Sequence, residues 1–505
     1  MSTVGIDDIA IYFPRLFFDM KDFAQLRGAN FGKLNRGLGL AAMAIPDVHE
    51  DTATMGANAV RRLIDRNDLD PRKIGRIYLG TESALDGSKP TATYIMGMLQ
   101  QHYADRFGAD CFQNCDVVDM TFACIGAVDA MHNTLDWIAR GGEDDDRIGL
   151  VVFADNAKYD LGSTGEYTQG AGGGAILLRY NPRLMVIPDR WGVSTIPVHD
   201  FFKPLRQVKA RQLVAEILQT VGHDDPALVD QALARLTEGQ DAPLLDDTVK
   251  IHKDTPVFDG QYSNRCYSES VKQAFIHYRK QALADGSYNP DQDDVLTEQW
   301  KRIILHLPYA FQGKRMFPDV FKYDRQDKPE WADIVDQIGP EPDPVEFPDE
   351  ALRTRAEDQY RRMISKTPQF KAFVEERIER GQRASSQIGN QYTGSIFLAL
   401  MSTFESDHLE DNDITGVSFG LCGYGSGAKA KVFEGIVQPR WREVAARFEL
   451  FKRLEARTPI DKDAYEALHR GTLTDSVVKP DNEFALVSVG RDGDLEGQRR
   501  YAWIG

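Results

Sequence analysis

Cysteine is scarce in this chain. Its 505 residues include only five cysteines, which are Cys111, Cys115, Cys124, Cys266 and Cys422. Such an odd and sparse set is typical of a reducing cytoplasm and not of a secreted domain held together by disulfides. Cys111 and Cys115 are close enough in sequence for a metal pair. No His or Cys pair at finger-like spacing completes a site, however, so zinc is disfavoured.

Long apolar runs are missing as well. No stretch approaches the roughly 20 apolar residues that cross a membrane as a helix. Near the start of the chain, Asp7 and Asp8 are acidic residues where a signal peptide would have basic and then apolar ones. We therefore expect a cytoplasmic protein with no membrane partner.

Basic residues are outnumbered by acidic ones. The chain has 60 Lys and Arg against 77 Asp and Glu, which gives a formal net charge of -17. This charge opposes non-specific binding to nucleic acid or to anionic membranes, and an acidic substrate would need a local basic patch. With 42% apolar residues the chain should be a soluble globular protein, built as one large two-lobed unit or as two to three domains.

Short β-rich runs alternate with longer helical patterns, which predicts a layered α/β fold. The expected helices cover residues 52–65, 127–140 and 391–404, and the expected strands cover 77–80, 150–154, 416–421 and 428–437. Because the pattern occurs both early and late, we expect two related halves, 1–180 and 181–505.

Two stretches between these segments, 206–255 and 317–380, are polar and rich in Asp, Glu and Pro. They indicate surface insertions or helical excursions, including a helix over 350–364, and solvated decoration is the favoured interpretation. Near the C-terminus the pattern predicts a charged amphipathic helix over 441–457. A hairpin of residues 484–490 and 500–504 is expected after it.

Cys124 occupies the most informative position. A free cysteine is usually a small apolar filler. Here, however, a strand-like run breaks into a helix-like one at this residue, so the thiol would lie at a helix N-terminus. That position favours the thiolate and offers N–H donors to an oxyanion. Glu82 and His306 end two other apolar runs, so three reactive side chains lie where sites of layered α/β folds usually occur.

Eight segments, in order along the chain, resemble the hydroxymethylglutaryl-CoA synthase family. They are residues 5–14, 80–89, 122–127, 200–204, 256–263, 306–309, 389–393 and 423–427. The resemblance implies a five-layered α/β/α/β/α fold of the thiolase superfamily, a homodimer, and no redox or metal cofactor. It also implies condensation of acetyl-CoA with acetoacetyl-CoA and water, which gives 3-hydroxy-3-methylglutaryl-CoA and CoA for the mevalonate route to isoprenoids.

The resemblance also implies roles for individual residues. Cys124 would be acetylated, since a thiolate exchanges an acyl group with CoA at little change in bond energy. Glu82 would be the general base that removes a proton from the acetyl methyl group. His306, helped by Asn390, would polarise the ketone of acetoacetyl-CoA. Without the motif, Glu82 would be interpreted as a solvated surface residue and His306 as a turn or core residue.

Further residues of the resembling segments should line the acyl pocket. In the glycine-rich loop of residues 423–427, backbone N–H groups near Gly425 and Ser426 would face acyl oxygens. The other predicted substrate-binding residues are Asp155, Tyr159, Thr168 and Asp200. Tyr159 and Asp200 could equally serve packing and hydrogen bonding.

The chain departs from the family after His306. Family members commonly have a lysine five positions later, near the CoA phosphates, and this chain has Phe311. Lys203, Lys314 and Arg315 are the candidate phosphate partners, although basic residues are more often solvated. Tyr167, next to Thr168, also replaces the usual proline.

Three alternatives stay open, and the departures favour the first of them. The first is a relative from polyketide β-branching, whose acceptor is held on acyl carrier protein. The second is a type III ketosynthase, against which the presence of Glu82 argues. The third is an idle thiolase-fold subunit that binds a partner such as a thiolase, against which Cys124, Glu82 and His306 together argue.

Overall fold

The computed structural model describes residues 3–144, 146–237, 248–252, 254–291, 295–491 and 493–505. It forms two compact units, one of Met1–Asp200 with Gly260–Gly505 and one of Phe201–Asp259. The predicted boundary between residues 180 and 181 stays a prediction. Within the described residues, no helix combines the length and apolarity needed to cross a membrane.

The strands are numbered in chain order. They are β1 Val4–Tyr12, β2 Leu16–Asp19, β3 Ala42–Ile45, β4 Ile74–Gly80, β5 Asp116–Met120, β6 Ile148–Ala157, β7 Gly170–Tyr180, β8 Met185–Val186, β9 Trp191–Thr195, β10 Phe201–Phe202, β11 Leu205–Lys209, β12 Thr248–His252, β13 Val257–Phe258, β14 Trp300–Leu305, β15 Ser418–Gly425, β16 Lys429–Val437, β17 Thr458–Pro459, β18 Glu483–Val489 and β19 Arg499–Ile504.

The α-helices are numbered in the same way. They are α1 Met20–Arg27, α2 Thr52–Asn67, α3 Thr91–Phe107, α4 Gly126–Ala139, α5 Ala210–Thr220, α6 Pro226–Thr237, α7 Gly260–Ala284, α8 Gln312–Met316, α9 Pro318–Arg325, α10 Trp331–Ile338, α11 Glu350–Ile364, α12 Pro368–Arg377, α13 Glu379–Ile388, α14 Ser395–Leu409, α15 Trp441–Ala445, α16 Leu450–Glu455 and α17 Lys462–Arg470.

A ten-stranded mixed sheet runs through the larger unit. Its strands follow the order β14-β15-β16-β8-β1-β7-β6-β4-β5, and β9 also pairs with β16. The short strand β8 pairs with both β1 and β16, so it joins an early group of strands to a late group. Strands from the early and the late part of the chain therefore belong to one hydrogen-bonded sheet.

Helices cover both groups of strands. Apolar residues of α2 and α3 pack on one face of β4, β6 and β7, and those of α4 pack on the other face. Helix α14 lies between the groups, because its Phe397 stacks on Phe153 of β6 and its Phe404 contacts Phe419 of β15. Helix α7 covers the outer side of the late group, where Phe275 meets Trp300 of β14. The order is α/β/α/β/α, which confirms the predicted five layers.

The prediction of solvated decoration is wrong for residues 317–380. These residues form helices α9 to α12, and a cluster of Phe317, Phe321, Phe370 and Phe373 packs in the main core. The helix over Glu350–Ile364 is confirmed. The polar composition of this stretch gave no indication of a core. A few aromatic side chains at helical spacing bury enough apolar area to pack a helix against the core, even when its other residues are charged.

The stretch 206–255 belongs to the smaller unit. Strands β10 and β13 pair there, as do β11 and β12, and helices α5 and α6 lie between β11 and β12 in sequence. Part of the predicted insertion, residues 238–247 and 253, lies outside the described residues. The helical excursion predicted for this stretch is confirmed by α5 and α6.

The predicted helix over 441–457 is instead two short helices, α15 and α16. Glu449 interrupts them with a φ of 49°. The buried carboxylate of Glu405 accepts hydrogen bonds from the backbone N–H groups of Leu450 and Phe451. It therefore caps the N-terminus of α16, and a separate helix begins there. The C-terminal hairpin is confirmed as β18 paired with β19. Residue 492 of its turn lies outside the described residues.

Candidate active site

Cys124 lies in the turn between β5 and α4, two residues before the helix begins at Gly126. The residue is 9% exposed, so little of it contacts bulk water. The preceding Ala123 has a φ of 30°, in the left-handed region that a side chain disfavours. Strain of this kind is often found at functional sites. The predicted position at a helix N-terminus is confirmed.

Glu82 is the acidic partner of this sulfur. Cys124 Sγ lies 3.3 Å from Glu82 Oε1, and the thiol donates to the carboxylate. Glu82 follows the end of β4, and β4 and β5 are neighbouring parallel strands, so both side chains emerge at the same edge of the sheet. The geometry therefore places a nucleophile beside a base.

Asp155 connects two chain segments at this edge of the sheet. Its side chain is fully buried, and its Oδ1 accepts from the backbone N–H of Glu82 at 2.8 Å. Its Oδ2 accepts from the backbone N–H of Thr393 at 3.1 Å and from the hydroxyl of the same residue at 2.5 Å. Asp155 thereby fixes the backbone of Glu82 against the segment 389–393. Its predicted contact with substrate stays a prediction.

The other four cysteines have a different environment. Burial raises the pKa of Cys115 and of Cys422 to about 12, and it also raises the pKa of Cys111 and of Cys266. These thiols stay protonated at neutral pH and are poor nucleophiles. Cys124 is thus set apart from the other four by its partner and its position.

His306 follows the end of β14 and is 1% exposed. Its backbone N–H donates to the carbonyl of Cys422, and its own carbonyl accepts from the hydroxyl of Tyr267 at 2.7 Å. No described residue forms a hydrogen bond with either ring nitrogen. Burial lowers the pKa of His306 to about 3, so the ring is neutral at physiological pH. A buried imidazole with two unsatisfied nitrogens fits a site that a substrate completes.

Two tyrosines, Tyr159 and Tyr392, lie beside Cys124 and Glu82. Burial is the main cause that raises the pKa of each, and interaction with the acidic groups of Glu82 and Cys124 raises the pKa of both further. Tyr159 was predicted as a pocket residue. Tyr392 was missed as a site residue, although it lies in the quoted segment 389–393, and so was Tyr267. For Tyr392 the position in that segment was the available signal, whereas Tyr267 lies outside the eight segments and the sequence offered no signal for it.

Asn390 is anchored in the same segment. Its backbone N–H donates to the carbonyl of Thr168 at 3.0 Å, and its side-chain oxygen accepts from the N–H of Tyr392 at 2.8 Å. The Thr168 hydroxyl donates to the carbonyl of Gly165. The pairing brings two predicted pocket residues together, and their contact with substrate stays a prediction.

The glycine-rich loop packs directly on the nucleophile turn. A Cβ on Gly425 would lie 3.0 Å from the backbone nitrogen of Ile125 and 3.1 Å from the carbonyl oxygen of Phe122, so this close approach requires glycine. Buried Asp200 fixes the loop, because its Oδ1 accepts from the N–H of Gly427 at 2.8 Å. Ser426 is half-buried in this loop. Asp200 thus has a positioning contact, and its predicted substrate contact stays a prediction.

The predicted phosphate partners lie in different parts of the chain. Lys314 Nζ is 3.2 Å from the ring centroid of Phe311, and Arg315 donates to the hydroxyl of Tyr309 at 3.2 Å. Lys203 belongs to the smaller unit. Within the part of the chain that is described, no group of three or more His, Cys, Asp or Glu side chains is placed to hold a metal ion.

Comparison with known proteins gives the family. The family model for the hydroxymethylglutaryl-coenzyme A synthase N terminal matches residues 1–182, and the model for its C terminal matches 249–474. The hydroxymethylglutaryl-CoA synthase of Haloferax volcanii is 30% identical over 100% of both chains. The chain belongs to the hydroxymethylglutaryl-CoA synthase family. The resemblance predicted from the eight segments is therefore confirmed.

Other relatives agree with this assignment. The hydroxymethylglutaryl-CoA synthase of Enterococcus faecalis is 26% identical and covers 93% of this chain and 92% of its own. A solved structure of MvaS in complex with 3-hydroxy-3-methylglutaryl coenzyme A is 26% identical, covers 100% of both chains and has a TM-score of 0.75. The HMG synthase of the curacin biosynthetic pathway is 18% identical with a TM-score of 0.68, over 99% of this chain and 100% of its own. At that identity it supports the shared thiolase-like fold alone.

Proposed function

We propose that this protein is a C–C bond-forming acyltransferase that condenses acetyl-CoA with acetoacetyl-CoA and water to 3-hydroxy-3-methylglutaryl-CoA and CoA. The observation that carries the proposal is the 3.3 Å contact between Cys124 Sγ and Glu82 Oε1 ahead of helix α4. Membership of the family and the relatives named above support it.

The first step is acetyl transfer to Cys124. The thiol donates its hydrogen bond to Glu82, so the carboxylate is placed to take the proton as sulfur attacks the acetyl carbonyl. The CoA thiolate leaves and takes that proton, which restores the Glu82 carboxylate. One thioester replaces another, and little bond energy changes.

The second step forms the carbon–carbon bond. Glu82 takes a proton from the methyl group of acetyl-Cys124, and the resulting enolate attacks the ketone carbon of acetoacetyl-CoA. The neutral ring of His306 has one N–H, which donates to the ketone oxygen and polarises it. The side-chain oxygen of Asn390 is occupied, so its amide nitrogen is the group that would donate to the substrate. The proton that Glu82 removed balances the one that the new tertiary alcohol gains.

The third step releases the product. Water attacks the thioester carbonyl carbon, and its oxygen becomes part of the new carboxylate. One of its protons returns to the Cys124 sulfur, and the other is released to solvent as the carboxylic acid ionises. The backbone N–H groups near Ser426 and at Cys124 are the donors for the oxyanion of this step. The tight packing of Gly425 on the Cys124 turn keeps these donors close to the thioester.

Labelling separates the two catalytic residues. With labelled acetyl-CoA, we expect the label on the Cys124 peptide of the parent and of Cys111→Ala, and no label on Cys124→Ala. Glu82→Ala should still be acetylated, because water can take the thiol proton, but its condensation rate should fall by about 10²- to 10⁴-fold. Label on another peptide, or condensation by Glu82→Ala at the parent rate, would contradict the proposal.

A carrier-bound acceptor, as in polyketide β-branching, is the second candidate. Phe311 in place of the usual lysine is the observation that favours it. Free acetoacetyl-CoA is favoured because the relatives at 26–30% identity are named hydroxymethylglutaryl-CoA synthases. Rates of CoA release with acetoacetyl-CoA and with acetoacetyl-carrier protein decide between them, and turnover only with the carrier-bound acceptor would overturn our choice.

We further propose a cytoplasmic homodimer that uses no redox or metal cofactor. The family resemblance supports both the dimer and the cofactor-free chemistry. Sedimentation equilibrium tests the oligomeric state, and assays after exhaustive chelation test the cofactor. A monomer, or activity lost on chelation and restored by metal, would contradict these points.

A further inference from the structure

The larger unit contains a cavity of about 490 Å³ at the C-terminal half of helix α2. Five arginines line it, and these are Arg61, Arg62, Arg66, Arg447 and Arg453. Two acidic residues, Asp65 and Glu449, also belong to the lining. The cavity is thus a local basic patch on a chain of net charge -17.

This cavity is separate from the catalytic residues. At the other end of α2, the hydroxyl of Thr52 donates to the carbonyl of Ser83, which follows Glu82. Since each helical residue advances about 1.5 Å, Arg62 lies roughly 15 Å further along α2 than Thr52. The remaining walls come from β1 and from the segment 447–453, which includes the start of α16. The cavity therefore lies toward the end of α2 that is remote from Glu82.

The carboxylates around the cavity are already paired with cations. The pairs are Asp65 with Arg61, Glu449 with Lys452, and buried Asp8 with both Arg66 and Arg447. Among the residues that the structure describes, Arg62 and Arg453 form no ion pair. The lining therefore has an excess of positive charge, and a concave surface of one sign attracts and concentrates anions.

Arg62 and Arg453 lie side by side against the end of β1. The Nη1 group of each donates to the carbonyl oxygen of Ile11, at 2.9 Å for Arg62 and 2.8 Å for Arg453. Their guanidinium groups lie over the rings of Tyr12 and Phe13, each 5.0 Å from the ring centroid. Within the described part of the chain, no acceptor engages Nε or Nη2 of either arginine, so these groups can donate to a ligand.

The two neighbouring guanidinium groups disfavour each other's charge. Burial lowers the pKa of Arg62 to about 10. Burial, followed by the charge of Arg62, lowers the pKa of Arg453 to about 9. An anion placed between the two groups would offset this repulsion. Phosphate suits the position because its oxygens accept from the planar fork of a guanidinium group.

We propose that this cavity binds a small phosphate-bearing anion between Arg62 of α2 and Arg453 of α16. Its volume lies in the range of small-molecule sites, about 300–1,000 Å³. The bound anion would connect β1, α2 and α16, so it should stabilise the folded chain. The site is independent of the proposed function, because it contains none of the catalytic residues. An acidic segment of another protein is an outcome of the test below.

Calorimetric titration with inorganic diphosphate at constant ionic strength tests the site. The double variant Arg62→Gln/Arg453→Gln should bind diphosphate at least tenfold more weakly than the parent, because two charge-assisted contacts are lost. Diphosphate should raise the melting temperature of the parent more than that of this variant. The matched control is Arg355→Gln/Arg362→Gln, which removes two arginines from a different cavity and should keep the parent's affinity at this site. Inorganic phosphate and glycerol phosphate, titrated in the same way, distinguish an inorganic ion from an organic ester.

Several results would overturn the proposal. Equal affinity for diphosphate in the parent and in Arg62→Gln/Arg453→Gln would do so, and so would a loss of affinity in the control alone. Binding of hexaglutamate but of no phosphate compound would assign the arginines to an acidic protein partner instead. If the double variant does not fold, crystals of the parent soaked in tungstate, a phosphate mimic, decide the matter. An anomalous signal within hydrogen-bond distance of Arg62 and Arg453 would support the site, and a signal only elsewhere would refute it.

Discussion

Cys124 and His306 are both buried, yet burial has different consequences for each. The Cys124 thiol has a carboxylate acceptor at 3.3 Å and the start of a helix two residues ahead. His306 has no described partner for its ring, and burial lowers its pKa to about 3. The site thus combines a neutral imidazole with a sulfur that has a carboxylate beside it. When two titratable side chains of one site have different environments, their protonation states differ, and so do the roles that they can take.

The low pKa of His306 predicts a pH-dependent contribution to stability. An unfolded histidine titrates near 6.5 and the folded one near 3, so between these values the unfolded chain binds one more proton. Stability from this residue is complete above about pH 6.5 and is lost as pH falls toward 3, by up to about 1.4 kcal/mol per pH unit. His306→Asn should remove this slope, which chemical unfolding at pH 6.5, 5.5 and 4.5 would measure. Identical slopes in parent and variant would contradict the assigned pKa.

Strand ends and the turns that follow them build the site. Strand β4 leads to Glu82, β5 to Cys124, β14 to His306, and β15 to the glycine-rich loop. Asp155 and Asp200 are buried carboxylates that tie separate turns together through backbone N–H groups. Accurate placement therefore depends on contacts between elements and not on any one turn alone.

Gly425 tests this dependence on packing. In Gly425→Ala the new Cβ would meet backbone atoms of the nucleophile turn at 3.0 Å and 3.1 Å, so β15 or the turn must shift. We expect acetylation of Cys124 to slow by about ten- to a hundredfold, since small displacements of reacting groups cost such factors. Gly87→Ala is the control, because a Cβ there meets open space. Stopped-flow release of CoA in the first turnover measures the step, and equal rates in both variants would refute the argument.

At the scale of the whole molecule, charge is distributed unevenly. The chain carries a net charge of -17, yet one cavity of the larger unit is lined by seven cationic residues, which are Arg265, Lys314, Arg315, Arg355, Arg361, Arg362 and Lys371. Self-repulsion of the acidic surface destabilises the compact state, whereas the basic cavity attracts anions. Salt should therefore have opposite effects on folding and on binding.

An increase in KCl concentration tests both effects, because it shortens the Debye length from about 10 Å at 0.1 M to about 3 Å at 1 M. The melting temperature should rise over this range as self-repulsion is screened, while affinity for CoA should fall. Affinity for pantetheine, which carries no phosphate, should stay constant. Differential scanning calorimetry and titration calorimetry measure the two quantities. A melting temperature that falls with salt would contradict the first expectation, and a salt-independent affinity for CoA would contradict the second.

Local pattern was sufficient for much of the fold. The alternation of strand and helix periods predicted α2, α4, α11 and the C-terminal hairpin, since periodicity along the chain reports directly on these elements. Periodicity gave a wrong prediction for residues 317–380, because only a few aromatic residues in this stretch form its buried core. It also gave one helix instead of two for 441–457, because Glu405 of another helix caps a second helix there.

The sequence by itself determined the family, the layered α/β class, and the choice of Cys124, Glu82 and His306, because motifs and strand ends are local features. Only the tertiary structure decided that Asp155 and Asp200 are buried carboxylates that connect separate turns. It also decided that the His306 ring is neutral and has no hydrogen-bond partner among the residues that the structure describes. Likewise, only folding brings the cationic residues of α7, α8, α11 and α12 together around one cavity. Burial and charge balance depend on segments that are distant along the chain and meet only when it folds.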